Sequence, residues 1–227
     1  MLAEEISECR RCPRLVAWRE QVATDKRAAY RDEEYWGRPV PGFGDPAASL
    51  LIIGLAPAAH GANRTGRMFT GDRSGEWLYR ALYRAGFANQ AESVSRDDGL
   101  ELDGAFITAP VRCAPPANAP TPAERDACRP WLEAEVALLP NVKVVLALGA
   151  FGFREAARWM DFERIPAFAH GAEATSPDGR VLLASYHVSQ QNTFTGRLTE
   201  AMLDDVFARA ADLTGRTVPS DRRRIGD

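Results

Sequence analysis

The chain contains four short runs of apolar residues, each followed by glycine, proline or polar residues. The runs cover residues 50–53, 105–111, 144–149 and 181–185. Nearly every position within them is apolar, which is typical of strands buried on both faces of a parallel sheet. Between the runs, apolar residues recur at helical spacing, as in the stripe of Leu78, Ala81, Leu82 and Ala85. Strands that alternate with helices predict an α/β fold in which helices cover both faces of a parallel sheet.

Capping residues mark where several of the helices begin and end. Ser74 is the predicted N-cap of the helix after the first strand, and Gly86 ends that helix. The sequence Thr121-Pro122-Ala123-Glu124 has the form of a capping box with proline in the first turn. A last helix is predicted from about residue 197 to 213. We therefore assign residues 1–213 to one domain and residues 214–227, with three consecutive arginines, to a polar tail.

A long glycine-rich stretch separates the first strand from its helix. Its glycines are Gly54, Gly61, Gly66, Gly71 and Gly75. A loop of this length is commonly functional, and it lies at the carboxyl end of a strand, where open α/β sheets bind their ligands. The spacing of Gly61 and Gly66 is that of a phosphate-binding P-loop. Arg67 and Met68 follow instead of Lys and Ser or Thr, which argues against a nucleoside triphosphatase.

Composition and charge restrict the classes of protein that the chain can represent. The chain has 227 residues, of which 45% are hydrophobic, and a formal net charge of -3. No global basic field attracts nucleic acid, so a surface that binds DNA has to be a local patch. The sequence contains no apolar run long enough for a membrane span and does not begin with the pattern of a signal peptide. We expect a cytoplasmic protein.

The four cysteines form two groups in the sequence. Cys9 and Cys12 are a C-x-x-C pair, Cys113 lies in a proline-rich loop, and Cys128 lies near a predicted helix start. Structural disulfides are rare in a reducing cytosol, so metal binding is the better interpretation. Zinc and an iron–sulfur cluster are both compatible with four thiolates. The alternative is a set of unrelated buried cysteines.

Three further residues have both a functional and a structural interpretation. Phe69 lies among glycines and polar residues, and it can stack on a nucleobase or anchor the loop in the core. Asp72 precedes a helix, and it can act on a water molecule or only favour the helix dipole. His187 ends the fourth strand, where a histidine can donate a proton or hydrogen bond to a substrate, or simply serve the fold.

Taken together, these motifs resemble the uracil-DNA glycosylase superfamily. Residues 54–72, GLAPAAHGANRTGRMFTGD, are similar to its first motif, and residues 187–197, HVSQQNTFTGR, are similar to its second. The sequence RCAPPAN at residues 112–118 and the four cysteines make the resemblance greatest to the iron–sulfur enzymes of family 5 (type b). The resemblance implies a single domain with a four-stranded parallel sheet flanked by helices. It also implies excision of uracil, and of other deaminated bases such as hypoxanthine or xanthine, from double-stranded DNA.

The resemblance also implies a role for individual residues. Asp72 and His187 become the catalytic residues, the first for water and the second as donor to the base. The implied base-binding residues are Gly54, Leu55, Ala56, Ala58, Phe69 and Asn118. The implied DNA-binding residues are Ser189, Gln190, Gln191, Asn192, Arg64, Arg67 and Arg197. The implied ligands of a [4Fe-4S] cluster are Cys9, Cys12, Cys113 and Cys128.

Two positions depart from the pattern of the superfamily. Leu55 is apolar where many members carry a polar residue that serves the water, so Asp72 takes that role here, as in family 5. Ala58 replaces a glycine and narrows the approach to the base. We expect a monomer that associates with the nucleoid when it is bound to DNA. The competing hypotheses are a metal-stabilised nucleic-acid-binding module without catalysis and an electron-transfer iron–sulfur protein.

Overall fold

The structure, a computed structural model, describes residues 1–217. The helices are α1 (Leu2–Ser7), α2 (Pro13–Asp25), α3 (Ala62–Thr65), α4 (Arg73–Arg84), α5 (Pro122–Val136), α6 (Gly149–Trp159), α7 (Gln190–Phe194) and α8 (Glu200–Thr214). The strands are β1 (Phe43–Gly44), β2 (Leu50–Ile53), β3 (Ala105–Thr108), β4 (Val144–Leu148), β5 (Glu173–Thr175) and β6 (Val181–Ser185). Of the predicted tail, the three arginines at 222–224 lie outside the described residues.

The strands form one mixed sheet with the order β1-β3-β2-β4-β6-β5. The four inner strands are the predicted ones, and they run parallel to one another. Two further strands pair antiparallel at the edges, β1 with β3 and β5 with β6. The prediction of a four-stranded parallel sheet is therefore corrected to a mixed six-stranded sheet. Strands β1 and β5 have only two and three residues, too few to produce an apolar pattern in the sequence.

Alternate residues of the inner strands pack against two different layers of helices. Leu50 and Ile52 of β2 face the core that includes side chains of α4 and α8. Leu51 and Ile53 face the opposite core, which includes side chains of α5 and α6. Because both faces of β2 are covered, all four of its residues are buried and apolar. The result is three layers, with the sheet between two layers of helices.

One of two predicted helix N-caps is confirmed and the other is wrong. The capping box at Thr121 is present, with the Thr121 side chain accepting from the backbone N–H of Glu124 and the Glu124 carboxylate accepting from that of Thr121. Helix α4 is capped by Asp72, not by Ser74, since the Asp72 carboxylate accepts a hydrogen bond from the backbone N–H of Gly75. No helix among residues 1–217 combines the length and apolarity that a membrane crossing requires.

The order of the parallel strands reverses beside β2, and this defines the edge of the sheet where a ligand is expected. The chain passes from β2 through α4 to β3 on one side, and then through α5 to β4 on the other side of β2. In open α/β sheets the crevice outside such a switch point binds ligands. Helix α6 begins next to this crevice, because a Cβ atom at Gly152 would lie only 2.7 Å from the Gly54 carbonyl oxygen.

Residues 26–49 fasten the glycine-rich loop to the rest of the domain. The backbone N–H groups of Trp36 and Gly37 donate to the carbonyl oxygens of Arg64 and Asn63. The same segment reaches the loop after β3, where the backbone N–H of Val40 donates to the Arg112 carbonyl oxygen. These bonds link the loop after β2 and the loop after β3 through one connecting segment.

Candidate functional site

Phe69 lies in a strained position at the carboxyl end of β2. Its φ of 52° is in the left-handed region, which is rare for an aromatic residue, and such strain is concentrated at functional sites. Its ring lies against the end of the strand, because a Cβ atom at Gly54 would be 2.8 Å from Cζ of Phe69. Gly75 makes room for the Phe69 carbonyl oxygen, since a Cβ atom there would lie 1.8 Å from it. Both glycines are therefore required for this position of the ring.

His187 lies beside Phe69 and completes an aromatic pair. The ring centroids are 6.2 Å apart with an angle of 36° between the ring planes. His187 follows β6, and Gly149 at the start of α6 leaves room for it, because a Cβ atom at Gly149 would lie 3.0 Å from Cβ of His187. The structure thus brings together two residues that are more than a hundred positions apart in the sequence.

The His187 imidazole is neutral at physiological pH and free to bind a ligand. Burial lowers its pKa to about 4. Within residues 1–217 neither of its ring nitrogens makes a hydrogen bond to protein, whereas His60 contacts the Tyr35 hydroxyl and His170 contacts two backbone groups. The backbone of His187 is held in place by Asn192, whose side-chain amide donates to its carbonyl oxygen at 2.8 Å. A neutral imidazole can donate one hydrogen bond and accept another.

Asp72 is a partly buried carboxylate between α3 and α4. One oxygen, Oδ1, accepts from the Gly75 backbone N–H at 3.0 Å, and this bond caps α4. The other oxygen lies against Gly61, where a Cβ atom would be 2.0 Å from Oδ2. Burial raises the pKa of Asp72 above its ordinary value, although the backbone hydrogen bonds from Gly75 and Ser74 act against this shift. The helix-capping role is therefore present in the structure, and a role of Asp72 in the reaction stays a prediction.

The other predicted base-binding residues of this loop lie between the aromatic pair and the cysteines. Leu55 and Ala56 are partly exposed directly after Gly54. Ala56 packs against the small apolar cluster that contains Cys113. The carbonyl oxygen of Ala58 accepts hydrogen bonds from the backbone N–H groups of Gly61 and Asn63. This part of the loop therefore connects the Phe69–His187 pair with the apolar cluster that contains Cys113.

Asn118 lies apart from the aromatic pair in the contacts described for residues 1–217. It is exposed, in the turn Pro116–Asn118 after β3. Its φ is 54° and that of Ala117 is 52°, so two successive residues are left-handed. The structure does not bring the Asn118 amide into contact with Phe69 or His187. Its role in base recognition stays a prediction.

Arg64 and Arg67 were predicted to contact DNA phosphates, and the structure instead buries both. The Arg64 guanidinium pairs with Glu33 and donates to the carbonyl oxygens of His60 and Gly71. We therefore correct the predicted role of both arginines, since each is bound within the protein and braces the glycine-rich loop.

Arg67 is the more deeply buried of the two, with 3% of its side chain exposed. It binds both carboxylate oxygens of Asp98, at 2.7 and 2.8 Å, and it donates to the hydroxyl groups of Thr70 and Ser93. The sequence could not reveal these partners, because Asp98 lies 31 residues further along the chain.

The segment after His187 forms a short helix at the surface. Gln190 and Gln191 begin α7 and are exposed, and Ser189 is its N-cap residue. Arg197 is also exposed, with its guanidinium 4.7 Å from the centroid of the Tyr186 ring. These residues occupy positions that a DNA groove or phosphate can reach. Asn192 is an exception, because its side-chain amide is bound to the backbone of His187.

Phe194 is an exposed aromatic residue that the motif comparison did not single out. It ends α7 with 67% of its surface exposed. The Arg73 guanidinium lies 4.5 Å from the centroid of its ring, which connects α7 to the residue after Asp72. The sequence did not predict that Phe194 is exposed. The residues around it show no apolar periodicity from which its burial or exposure could be inferred.

The four cysteines meet in one pocket between the N-terminal helices and α5. The pocket is lined by Cys9, Cys12, Cys113 and Cys128. Burial raises the pKa of the Cys113 thiol to about 11 and that of the Cys128 thiol to about 12. Thiols bind a metal as thiolates, so metal binding releases their protons to solvent. The structure therefore places the four cysteines around the same pocket.

The side chains near the four thiols restrict what the pocket can hold. Among the described residues, no three Cys, His, Asp or Glu side chains are close enough together to hold one metal ion. A single zinc ion needs all four sulfur atoms at about 2.3 Å. Buried nitrogen atoms of Arg19, Arg112 and Trp131 lack hydrogen-bond partners in the same region. Unsatisfied donors beside four thiols suit a larger, negatively charged group with its own acceptor atoms.

Comparisons with known proteins agree with these features. Residues 41–211 match the family model described as the uracil DNA glycosylase superfamily. A relative from Mycobacterium leprae, described as a type-5 uracil-DNA glycosylase, is 58% identical over 217 residues, covering 94% of this chain and 95% of the relative. One from Thermus thermophilus, described in the same words, is 53% identical over 221 residues, covering 93% of this chain and 96% of the relative.

Replacement of Arg67 distinguishes bracing of the loop from contact with phosphate. We expect Arg67→Ala to lower the free energy of unfolding by about 3–5 kcal/mol, because Asp98 loses its partner in a buried pair. Urea unfolding measures this, and the exposed Arg197→Ala should stay within about 0.5 kcal/mol of the wild type. An Arg67→Ala protein of unchanged stability whose DNA binding became less dependent on salt would restore the phosphate role.

Proposed function

Because the chain belongs to the uracil DNA glycosylase superfamily, we propose that it hydrolyses the bond between uracil and deoxyribose in DNA. Relatives described as type-5 uracil-DNA glycosylases are 53% and 58% identical to it over most of its length. The observation that carries the proposal is the pair of rings at the carboxyl edge of the sheet. The rings of Phe69 and His187 lie next to each other, with centroids 6.2 Å apart, as a site for an extruded base requires.

The base has to leave the duplex before its bond to the sugar can be attacked. Extrusion costs a few kcal/mol, and the cost is lowest for a mispaired base such as uracil opposite guanine. Stacking of the base on Phe69 returns about 1–3 kcal/mol. The partly exposed Ser189 and the exposed Gln190 and Gln191 face the duplex in this proposal, and Arg197 contacts a phosphate. Phe194 adds an exposed ring to the same surface.

His187 stabilises the leaving base. Cleavage of the bond places negative charge on the uracil oxygen, and a donor that is already in position lowers the energy of that state. The neutral His187 ring carries one N–H group, which can donate to this developing charge. Asn192 keeps the donor in place through its hydrogen bond to the His187 carbonyl oxygen.

Asp72 acts on the other side of the reacting bond. In its ionised form the carboxylate stabilises the positive charge that develops on the sugar, and it orients the attacking water. Oδ1 is held by the Gly75 N–H, so the cap of α4 fixes the direction of the carboxylate. Asp72 therefore both caps α4 and takes part in the reaction. The sequence allowed each of these interpretations separately.

The proposal extends to other deaminated bases. Phe69 recognises a base by its flat face, and stacking does not distinguish uracil from hypoxanthine or xanthine. Asn118 is the predicted amide for selection among them. Excision assays with each of these bases opposite each natural partner base test this part of the proposal.

We also propose that Cys9, Cys12, Cys113 and Cys128 hold a [4Fe-4S] cluster. In such a cluster each thiolate binds its own iron atom, so the four sulfur atoms need not surround one ion. Held by these four residues, such a cluster would connect the turn between α1 and α2 with the loop after β3 and with α5. The buried nitrogen atoms of Arg19, Arg112 and Trp131 that lack hydrogen-bond partners support a cluster, which has its own acceptor atoms, over the zinc alternative.

Replacement of His187 tests the chemical role. We expect His187→Ala to lower the rate of uracil excision in a single turnover by roughly 10²–10³-fold, because the leaving anion loses its donor. DNA affinity should change much less than the rate. Cleavage at abasic sites in a uracil-containing duplex reports the reaction. A wild-type protein that binds this duplex without producing abasic sites would instead be a binding module without catalysis.

The pH dependence of excision tests Asp72. Because burial raises the pKa of Asp72, the rate should fall on the acid side as the carboxylate becomes protonated. His187, with a pKa of about 4, should add no inflection near the ordinary histidine value of about 6.5. Asp72→Asn should lower the rate by roughly 10²–10⁴-fold and remove the fall on the acid side. An Asp72→Asn protein with the wild-type rate would limit the carboxylate to capping α4.

Iron analysis tests the cluster. The purified protein should be brown and contain about four iron atoms per chain, the content of a [4Fe-4S] cluster. Removal of the iron with a chelator should lower the thermal unfolding temperature, because metal binding and folding are coupled. A colourless protein with one zinc ion per chain would contradict the proposal.

A further inference from the structure

Three buried side chains near the cysteine pocket have donors without acceptors. Among residues 1–217, eight buried side-chain nitrogen or oxygen atoms have no hydrogen-bond partner. Five of the eight belong to Arg19, Arg112 and Trp131, which we call the donor set. A buried donor without a partner costs about 1–3 kcal/mol. Such a concentration at one place indicates that a ligand with acceptor atoms belongs there.

Arg112 contributes most of these donors. It lines the cysteine pocket, 1% of it is exposed, and its Nε and both terminal nitrogens lack hydrogen-bond partners among the described residues. Glu135 balances its charge at 2.8 Å, but the two groups are not aligned for a hydrogen bond. The Glu135 oxygens already accept from the Gly42 backbone and the Thr108 hydroxyl. Arg112 therefore has its charge compensated and its donors unused.

Trp131 and Arg19 approach the same group of cysteines from other elements. Trp131 of α5 lines the pocket, and its Nε1 is buried without a partner within residues 1–217. Arg19 of α2 donates from one terminal nitrogen to Sγ of Cys113 at 2.9 Å and from the other to the Cys9 carbonyl oxygen. The backbone N–H of Arg112 also lies 3.3 Å from Sγ of Cys128.

We propose that the donor set hydrogen-bonds the sulfur atoms of the iron–sulfur cluster and raises its reduction potential. This inference rests on the cluster assigned to the four cysteines under the proposed function. Reduction adds negative charge to the cluster, and hydrogen bonds to its sulfur atoms favour the more negative form. Two buried guanidinium groups act in the same direction. The donor set positions and tunes the cluster and does not contact the base.

Trp131→Phe is the sharpest test because it removes one N–H and keeps an aromatic ring. Arg11 lies 4.6 Å from the centroid of the Trp131 ring, and a phenyl ring preserves this contact. Trp159→Phe is the matched control, since Arg180 lies 4.3 Å from the centroid of its ring and it packs in a core away from the cysteines. Arg112→Lys is a second variant that keeps a positive charge opposite Glu135.

Voltammetry of the iron-loaded, DNA-free protein measures the reduction potential. We expect Trp131→Phe and Arg112→Lys each to lower the equilibrium constant for one-electron reduction about tenfold, which corresponds to about 59 mV. Both variants should also lose iron to a chelator faster than the wild type, whereas Trp159→Phe should match the wild type in both measurements.

Different results would contradict the donor set and the cluster. If Trp131→Phe and Arg112→Lys both carry a full complement of iron and have the wild-type potential, the donor set is overturned and the cluster stands. If the wild-type protein contains no iron, the cluster and the donor set are overturned together, while uracil excision remains open to its own assay.

Discussion

The structure depends on a close contact between an aromatic ring and a backbone without a side chain. The Phe69 ring can lie across the end of β2 only because residue 54 is glycine, since a Cβ atom there would be 2.8 Å from Cζ. Phe69 accepts a left-handed φ to reach this position. A strained residue persists when its surroundings fix it, and here Gly75, α4 and residues 26–49 do so. The ring is consequently in place before any base arrives.

The same loop connects the proposed base site to the proposed cluster. Gly54 supports the aromatic pair, and two residues later Ala56 packs against the apolar cluster that includes Cys113. Val40 and Gly42 extend the connection, through backbone hydrogen bonds to Arg112 and to the Glu135 carboxylate. A cluster in the cysteine pocket would therefore stabilise the loop that carries Phe69. Through this loop, binding of the cluster would affect the position of Phe69 in the proposed base site.

The sequence predicted the parts of the fold that local pattern controls. The four inner strands and the capping box at Thr121 both rest on short-range signals. The edge strands were missed because they have only two and three residues. Asp72 replaces Ser74 as the helix cap because the loop folds back on itself at Gly75, a contact that spacing alone does not reveal.

Long-range pairing explains the errors in the candidate site. Arg64 and Arg67 look in the sequence like ligands for phosphate, yet Glu33 and Asp98 bind them from distant segments. The donor set was invisible for the same reason, since Arg19, Arg112 and Trp131 come from three elements. The motif comparison assigned the chemistry to the carboxyl edge of the sheet, and only the fold shows which charged groups are already bound.

The central claim is that the position of the Phe69 ring against Gly54 determines excision. The most direct test is the single-turnover rate of uracil excision by Gly54→Ala, compared with its DNA affinity and its free energy of unfolding. The account predicts at least a roughly tenfold lower rate, since the added methyl displaces the ring while the remainder of the DNA-binding surface stays intact; tenfold corresponds to about 1.4 kcal/mol in the barrier. A folded Gly54→Ala protein that excises uracil at the wild-type rate would contradict it.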